Sequence, residues 1–315
     1  MSHFLTELDL PTGAVNRLLA DAVRLKAERK GGQRSADLEG QTVALYFEKP
    51  SVRTRVSFTI GVQELGGQVV ELSPSTTKVG KGEEPADFAK VLGRYVHAIV
   101  ARVFDQSLLE TFAQHAGVPV INALSDERHP CQALADALTI QERLGRIEGA
   151  VFAFVGEGNN VAASTGLLLA ALGADVRVAS PEDYGLPASI LYRGRGLAGS
   201  IRQTTSVEEA VEGADVVGLD HRLIEHHADG RGALDATGRR HVDDADPHRF
   251  VGSVTAVATS GCDQDGAKQG AAAAGSQRLT TDHRDPAGPG TLEAAPFARA
   301  AGSRPGPRWR KPVRT

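Results

Sequence analysis

The sequence predicts an α/β protein built as two doubly wound domains with parallel sheets, and three observations carry that prediction. Short apolar runs alternate with helix-period stretches over the first two-thirds of the chain. The 315 residues are enough for two domains of ordinary size, each with its own core. The segment "ERLGRIEG" (142–149) interrupts the alternation with charge and glycine, dividing the chain into units at 1–147 and 148–315.

Taken in order, "TVALYF" (42–47) is an apolar run of the kind that buried parallel strands show. A helix follows in which Phe58, Val62 and Leu65 fall at i, i+4 and i+7, stopped by Gly66 and Gly67. "QVVEL" (68–72) reads as the next strand. "AIVAR" (98–102), "VPVINAL" (118–124), "AVFAFVG" (150–156) and "DVRVAS" (175–180) are further strands, separated by helical stretches. No internal repeat is present.

Bulk properties exclude several function classes. A net charge of -4 and a pI near 6.2 give no electrostatic basis for a nucleic-acid or anionic-membrane partner. No apolar run reaches the roughly 18 residues of a spanning helix. The opening "MSHFLTELDLPTG" lacks the basic-then-apolar layout of a signal peptide, so the expectation is a cytoplasmic protein. Cys131 and Cys262 lie too far apart in sequence for a disulfide framework or a zinc site.

The chemistry begins in "FEKPSVRTRVSF" (47–58), where Ser51, Arg53, Thr54 and Arg55 stand between a strand and a helix. The first N–H groups of a helix are unpaired and lie at its positive end, which stabilises an anion. Ser51 and Thr54 add hydroxyl donors, and Arg53 adds bidentate, charge-assisted bonds suited to phosphate oxygens. Pro50 fixes the approach of the chain. Taken alone, the pentapeptide is equally an ordinary N-cap with two solvated arginines.

A second cluster has the same placement. "HPCQALAD" (129–136) follows the strand "VPVINAL" and opens a helix, with Pro130 in the first turn. His129 and Gln132, three apart, can donate to one carbonyl group, an oxyanion-stabilising role. A lone His-Pro is otherwise a capping or core histidine. Arg102 ends the strand "AIVAR" on the same ligand-binding edge of the sheet. Three strand ends that supply Arg, His, Gln and hydroxyls describe a site for a small phosphorylated carbonyl compound.

"SVRTR" resembles the S-x-R-T-R signature of the aspartate and ornithine carbamoyltransferases, and "HPCQALAD" resembles their H-P-x-Q motif. "KVGKGEEPADFAKVLGRYVHAIVARVF" and "NALSDERHPCQALAD" are similar to the ornithine branch, and the resemblance covers roughly residues 3–220, about 70% of the chain. The resemblance implies that Ser51, Arg53, Thr54 and Arg102 hold the phosphate of carbamoyl phosphate, while His129 and Gln132 address its carbamoyl end. It implies no metal or organic cofactor. It further implies a homotrimer or higher homo-oligomer whose sites lie between subunits, completed by a loop from the neighbour that "STTKVGKGEE" (75–84) matches. Lys78 departs from the Gln common at its position in ornithine enzymes. Lys78 is still suited to phosphate, Lys81 is a second candidate, and both are alternatively just exposed.

In "FVGEGNNVAAS" (154–164), Gly156 and Gly158 suggest a dinucleotide loop at first sight, but the third glycine position is Val161 and no acidic residue follows at the end of the next strand. "GEGNN" instead resembles the family's G-D-x-N-N segment, with Glu157 in place of Asp, which implies that Asn160 binds the amino-acid portion of ornithine. "EGADVVGLD" (212–220) resembles the strand before the ornithine loop D-x-W-x-S-M-G, and Asp220 matches its first position.

Beyond Asp220 that match ends, and the S-M-G and H-C-L-P motifs are absent. Only about one residue in seven of 221–315 is Val, Ile, Leu, Phe, Met, Trp or Tyr. Cys262 has no H-C-L-P context. Two accounts compete: a shifted reading frame near codon 220, or a divergent segment with another second substrate. The absence of any core-forming period favours the first. The expected function is ornithine carbamoyl transfer, giving L-citrulline and phosphate from carbamoyl phosphate and L-ornithine. The alternatives are transfer to another amino acid, or a non-catalytic subunit that binds carbamoyl phosphate.

Overall fold

The computed structural model describes residues 2–75, 77–80 and 82–220, together with the backbone of a two-residue strand at 256–257. Lys81, Cys262 and the reading-frame account of the tail lie outside the described residues.

Two sheets organise the described chain. The first has the order β2 (Gln68–Leu72), β1 (Thr42–Phe47), β3 (Ala98–Arg102), β4 (Val120–Leu124), every pair parallel. The second runs β7 (Ser200–Thr204), β6 (Asp175–Ala179), β5 (Val151–Val155), β8 (Val216–Leu219), again parallel, with β9 (Ala256–Val257) antiparallel beside β8. This is the expected α/β architecture. Each sheet reverses its strand order once, between β1 and β3 and between β5 and β8. Open α/β sheets leave a crevice at the carboxyl ends of such a strand pair.

Packing follows residue type. On one face of the first sheet, α3 (Pro85–Leu92) and α4 (Gln106–His115) bury Phe88 and Phe112 against Tyr46. The three rings lie 5.6–5.7 Å apart, centroid to centroid, in tilted and edge-on arrangements that suit their quadrupoles. On the other face, α2 (Val52–Glu64) contributes Val62 to a cluster with Val43, Leu45, Phe47, Val100 and Ala123. The outer edge of β4 is covered by the N-terminal segment: Phe4 N–H donates to Val120 O at 2.9 Å, and Asn122 N–H to Phe4 O at 2.8 Å.

The second sheet packs on α6 (Asn160–Ala171), nine of whose twelve residues are buried, so the helix is apolar all round rather than striped. α5 (Pro130–Leu144), and α1 (Thr12–Lys30) through Val15 and Leu19, share one buried cluster with α6 and the inner face of that sheet. α7 (Ala188–Arg193) adds Ile190 to this cluster. On the opposite face, α8 (Val207–Val211) contributes Ala210 to a thin layer with Ala153, Ala179 and Ala214. Strand β7 has no counterpart in the sequence reading, because "SIRQT" is an exposed edge strand whose one large apolar residue is Ile201.

Gly93, which ends α3, approaches another backbone closely enough to exclude any side chain. A Cβ there would meet Ala116 O at 1.8 Å, whereas one at Gly61 within α2 would meet nothing within 4 Å. Gly93→Ala is expected to lower the free energy of urea unfolding by about 1–3 kcal/mol, and Gly61→Ala to raise it by about 0.5–1 kcal/mol.

Candidate active site

The loop after β1 carries Ser51 in extended backbone (φ −162°, ψ 112°) as the N-cap of α2. Its Oγ accepts Thr54 N–H at 3.3 Å and donates to Thr54 Oγ1 at 3.0 Å. Arg102 Nη1 donates to the same Thr54 oxygen at 3.3 Å. With both acceptor positions of that hydroxyl occupied, its own proton points elsewhere. Arg53, one residue earlier, is exposed at the first turn of α2. Arg55 turns away, pairing with Glu71 at 3.3 Å and lying over the Phe47 ring. Of the two arginines in the pentapeptide, Arg55 is thus paired to a carboxylate of the neighbouring strand rather than solvated.

Arg102 sits where β3 shifts register against β4: Ala101 pairs with Asn122, but Arg102 pairs with Leu124. Such irregularities re-aim a side chain at a strand end. The Arg102 Nε is buried with no hydrogen-bond partner, and no carboxylate pairs with this side chain among the described residues. Burial, and after it the charge of Arg53, holds its guanidinium below the usual range.

His129 is the N-cap of α5, but its ring makes no cap bond. Its Nδ1 is buried and unpartnered, and burial, followed by the Arg102 charge, pushes the imidazole down to about 4. His129 is thus a neutral imidazole at physiological pH. Its backbone is held from across the molecule: His129 N–H donates to Ser164 Oγ of α6 at 2.9 Å. The NH2 group of Gln132 reaches a carboxylate on its own helix. That group donates to Asp136 Oδ1 at 2.9 Å, and Asp136 Oδ2 accepts from Thr165 Oγ1 at 2.8 Å. The carboxylate one turn along the helix thus engages one of the two amide N–H groups of Gln132.

The loops are tied to one another by residues that the sequence reading did not single out. Lys49 forms an ion pair with Asp126 and lies over the Phe104 ring, which links the β1 and β4 ends. Glu48 accepts Phe104 N–H at 3.1 Å. Arg128 pairs with Glu7 at 3.3 Å, and both are almost fully buried. Glu7 is raised and Arg128 lowered, in both cases by burial more than their mutual attraction offsets. None of these pairs is close in sequence, so no local pattern reports them.

At the second switch point, Gly156 (φ 152°) approaches Asp220 so closely that a Cβ would lie 2.5 Å from the Asp220 Cβ. A Cβ on Gly158 would lie 2.3 Å from Leu186 N. Both glycines serve backbone packing, and Leu186 and Gly185 occupy the space against Gly158. Asn159 caps α6 and donates to Asp220 Oδ2 at 2.6 Å. Asn160 donates to Ser125 O at 2.7 Å, tying the start of α6 to the β4–α5 loop. Lys78 is exposed in a loop anchored by the buried Val79.

Comparison with known proteins agrees with this geometry. The sequence pattern described as the carbamoyl-P binding domain of aspartate/ornithine carbamoyltransferase matches residues 2–142, and that of the Asp/Orn binding domain matches 148–231. The second match extends beyond Asp220. An ornithine carbamoyltransferase from Methanoculleus marisnigri is 43% identical over 217 residues, covering 69% of this chain and 70% of the relative. One from Gloeobacter violaceus is 45% identical over 216 residues, covering 67% and 68%. The solved structure of the ornithine carbamoyltransferase from Pyrococcus furiosus superposes with a TM-score of 0.68 at 40% identity, covering 72% of this chain and 74% of that one. On sequence pattern, identity and fold together, the chain belongs to the aspartate/ornithine carbamoyltransferase family.

Proposed function

We propose that this chain is an ornithine carbamoyltransferase, forming L-citrulline and phosphate from carbamoyl phosphate and L-ornithine. The observation that carries the reading is Arg102, half-buried near Arg53 with its Nε unpartnered and no carboxylate on it among the described residues, together with the Ser51 and Thr54 hydroxyls and neutral His129. An uncompensated charge of this kind is costly until an anion joins it. A phosphate monoester supplies that anion.

In the proposed mechanism, Ser51, Arg53, Thr54 and the α2 N-terminus hold the phosphate, with Arg102 contributing from β3. The neutral side-chain amine of ornithine attacks the carbamoyl carbon, forming a C–N bond as the carbonyl electron pair moves onto oxygen. Arg102, Thr54 and the His129 ring N–H stabilise that oxyanion, which is where charge grows in the transition state. Collapse breaks the C–O bond, the amine passes its proton to the departing phosphate oxygen, and phosphate leaves. Asp220, oriented by Asn159, receives the α-amino group of ornithine, and Asn160 lies beside its amino-acid portion. The division of labour follows the two sheets, 1–147 for carbamoyl phosphate and 148–315 for the amino acid.

The proposal includes a homotrimer or higher homo-oligomer acting in cytoplasmic arginine biosynthesis. Val52, Val56 and Ile60 form an apolar stripe along α2, exposed by 78%, 52% and 41%, beside the anion site. An unpartnered stripe of this kind suits burial by a second copy. Lys78, carried on the exposed loop, then meets phosphate at a neighbouring site. No described helix is long and apolar enough to cross a membrane.

Citrulline formation by the purified full chain tests the reading. Turnover supports it; failure to bind carbamoyl phosphate at all overturns it. Binding without turnover would place the defect in the amino-acid half. Arg53→Ala is expected to weaken carbamoyl phosphate binding by at least about 100-fold in calorimetric titration.

The neutral His129 yields a pH prediction. The unfolded imidazole gains its proton near 6.5 and the folded one only near 4, so the unfolded state binds more protons in between. Wild-type stability should therefore fall as pH drops from about 6.5 to about 4, with His129 contributing on the order of 3 kcal/mol. In His129→Gln that contribution disappears, which urea unfolding at stepped pH would show as a shallower acid slope. An unchanged slope would count against a buried, neutral His129.

A further inference from the structure

Glu7 and Arg128 form a buried ion pair that the chemistry above does not use. Glu7 is 1% exposed and Arg128 6%, and Arg128 Nη1 lies 3.3 Å from Glu7 Oε1. Glu7 stands in a braced turn, where Asp9 Oδ2 accepts the N–H groups of Leu5 and Thr6 at 2.6 and 2.8 Å. The segment before the turn is fastened to β4, because Asn122 Nδ2 donates to Leu5 O at 2.9 Å. Burial raises the Glu7 carboxyl. The Arg128 charge works in the opposite direction, followed by hydrogen bonding that includes the Ser164 hydroxyl, and by the Arg193 charge. Apolar side chains in place of a buried ion pair are often neutral or stabilising, so packing alone does not account for this one.

What the pair flanks is the peptide group between Arg128 and His129. The carbonyl of that peptide accepts Ser125 N–H at 2.8 Å, and its N–H donates to Ser164 Oγ at 2.9 Å. Arg128 N–H donates to Ser125 Oγ at 3.0 Å. His129 itself has φ −138° and ψ 64°, neither helical nor extended, so α5 does not by itself fix the direction of its ring. We propose that Glu7 is a positioning residue that, through Arg128 and Ser164, fixes the Arg128–His129 peptide and so holds the His129 ring against the substrate carbonyl. The inference rests on the carbamoyl phosphate reading. Glu7 grips the peptide from both ends, since Arg128 precedes it and Ser164 accepts its N–H. A small displacement of the ring weakens its bond to the carbonyl. The phosphate, held at α2 and β3, does not feel that displacement.

The test compares acetonylphosphonate with propylphosphonate, which has two hydrogens in place of the carbonyl oxygen. Inorganic phosphate is the third ligand, and all are titrated calorimetrically into the full chain. Wild type should prefer the ketone by about fivefold or more. In Glu7→Leu combined with Arg128→Met no charge is left buried alone, so the unfolding midpoint should stay near or above that of wild type. The preference should nevertheless fall to within about twofold, while phosphate affinity changes by less than about twofold. A pair that serves packing alone would keep the preference once the midpoint is restored, and that result overturns the proposal. Equal weakening of all three ligands does the same. His129→Ala should remove the preference by itself and add nothing to the double replacement, whereas additive losses count against any action through His129. If the double replacement fails to fold, Glu7→Gln carries the same test, because it removes the charge and keeps the shape. Its preference should fall severalfold, and full retention overturns the proposal. Wild type that binds none of the three ligands sinks the carbamoyl phosphate reading and this inference with it. Wild type that binds phosphate without preferring the ketone overturns the inference alone.

Discussion

The constraint on which the site depends is the burial of positive charge at the end of β3. Arg102 is half-buried at the switch point of the first sheet, its Nε enclosed, with Arg53 near and no carboxylate paired to it among the described residues. A structural arginine in that position would have a partner, as Arg128 has Glu7. The neighbouring groups share the same deficit: Thr54 accepts twice through one oxygen, and His129 is kept uncharged by burial and by Arg102. Each feature is unfavourable alone, and an anion with a carbonyl attached resolves them together.

Helix α6 turns this local arrangement into a two-part machine. It is almost wholly buried, yet it carries Asn160, Ser164 and Thr165 among its alanines and leucines. Those three side chains reach the Ser125 carbonyl, the His129 amide and the Asp136 carboxylate. The element at the second switch point therefore sets the backbone and side chains of the first. Polar groups buried this deeply are tolerated because each has its partner.

Much of this was legible in the sequence, for a physical reason. Strands buried on both faces leave runs such as "TVALYF" and "VFAFV", and β1 and β5 appear there. Loops that bind anions concentrate Ser, Thr and Arg within five residues, so the paired motifs were visible. Edge strand β7 was not, because half-exposed residues keep no apolar run. Long-range ties were also invisible: Lys49 with Asp126, Glu7 with Arg128, and Asp136 with Thr165 are separated by tens of residues. The donation of the Gln132 amide to Asp136 belongs to the last of these ties, so the sequence pattern alone did not report it. The glycines of "GEGNN" resemble a dinucleotide loop at first sight because close backbone packing and phosphate binding demand the same residue.

The central claim is that Arg102 costs stability until an anion arrives. The most direct measurement is the unfolding midpoint of wild type and Arg102→Leu, each titrated with phosphate at constant ionic strength. The account predicts that the variant is at least as stable as wild type without phosphate, and that only the wild-type midpoint climbs as phosphate is added. A variant that loses several degrees in the absence of phosphate, or a wild type indifferent to phosphate, would contradict it.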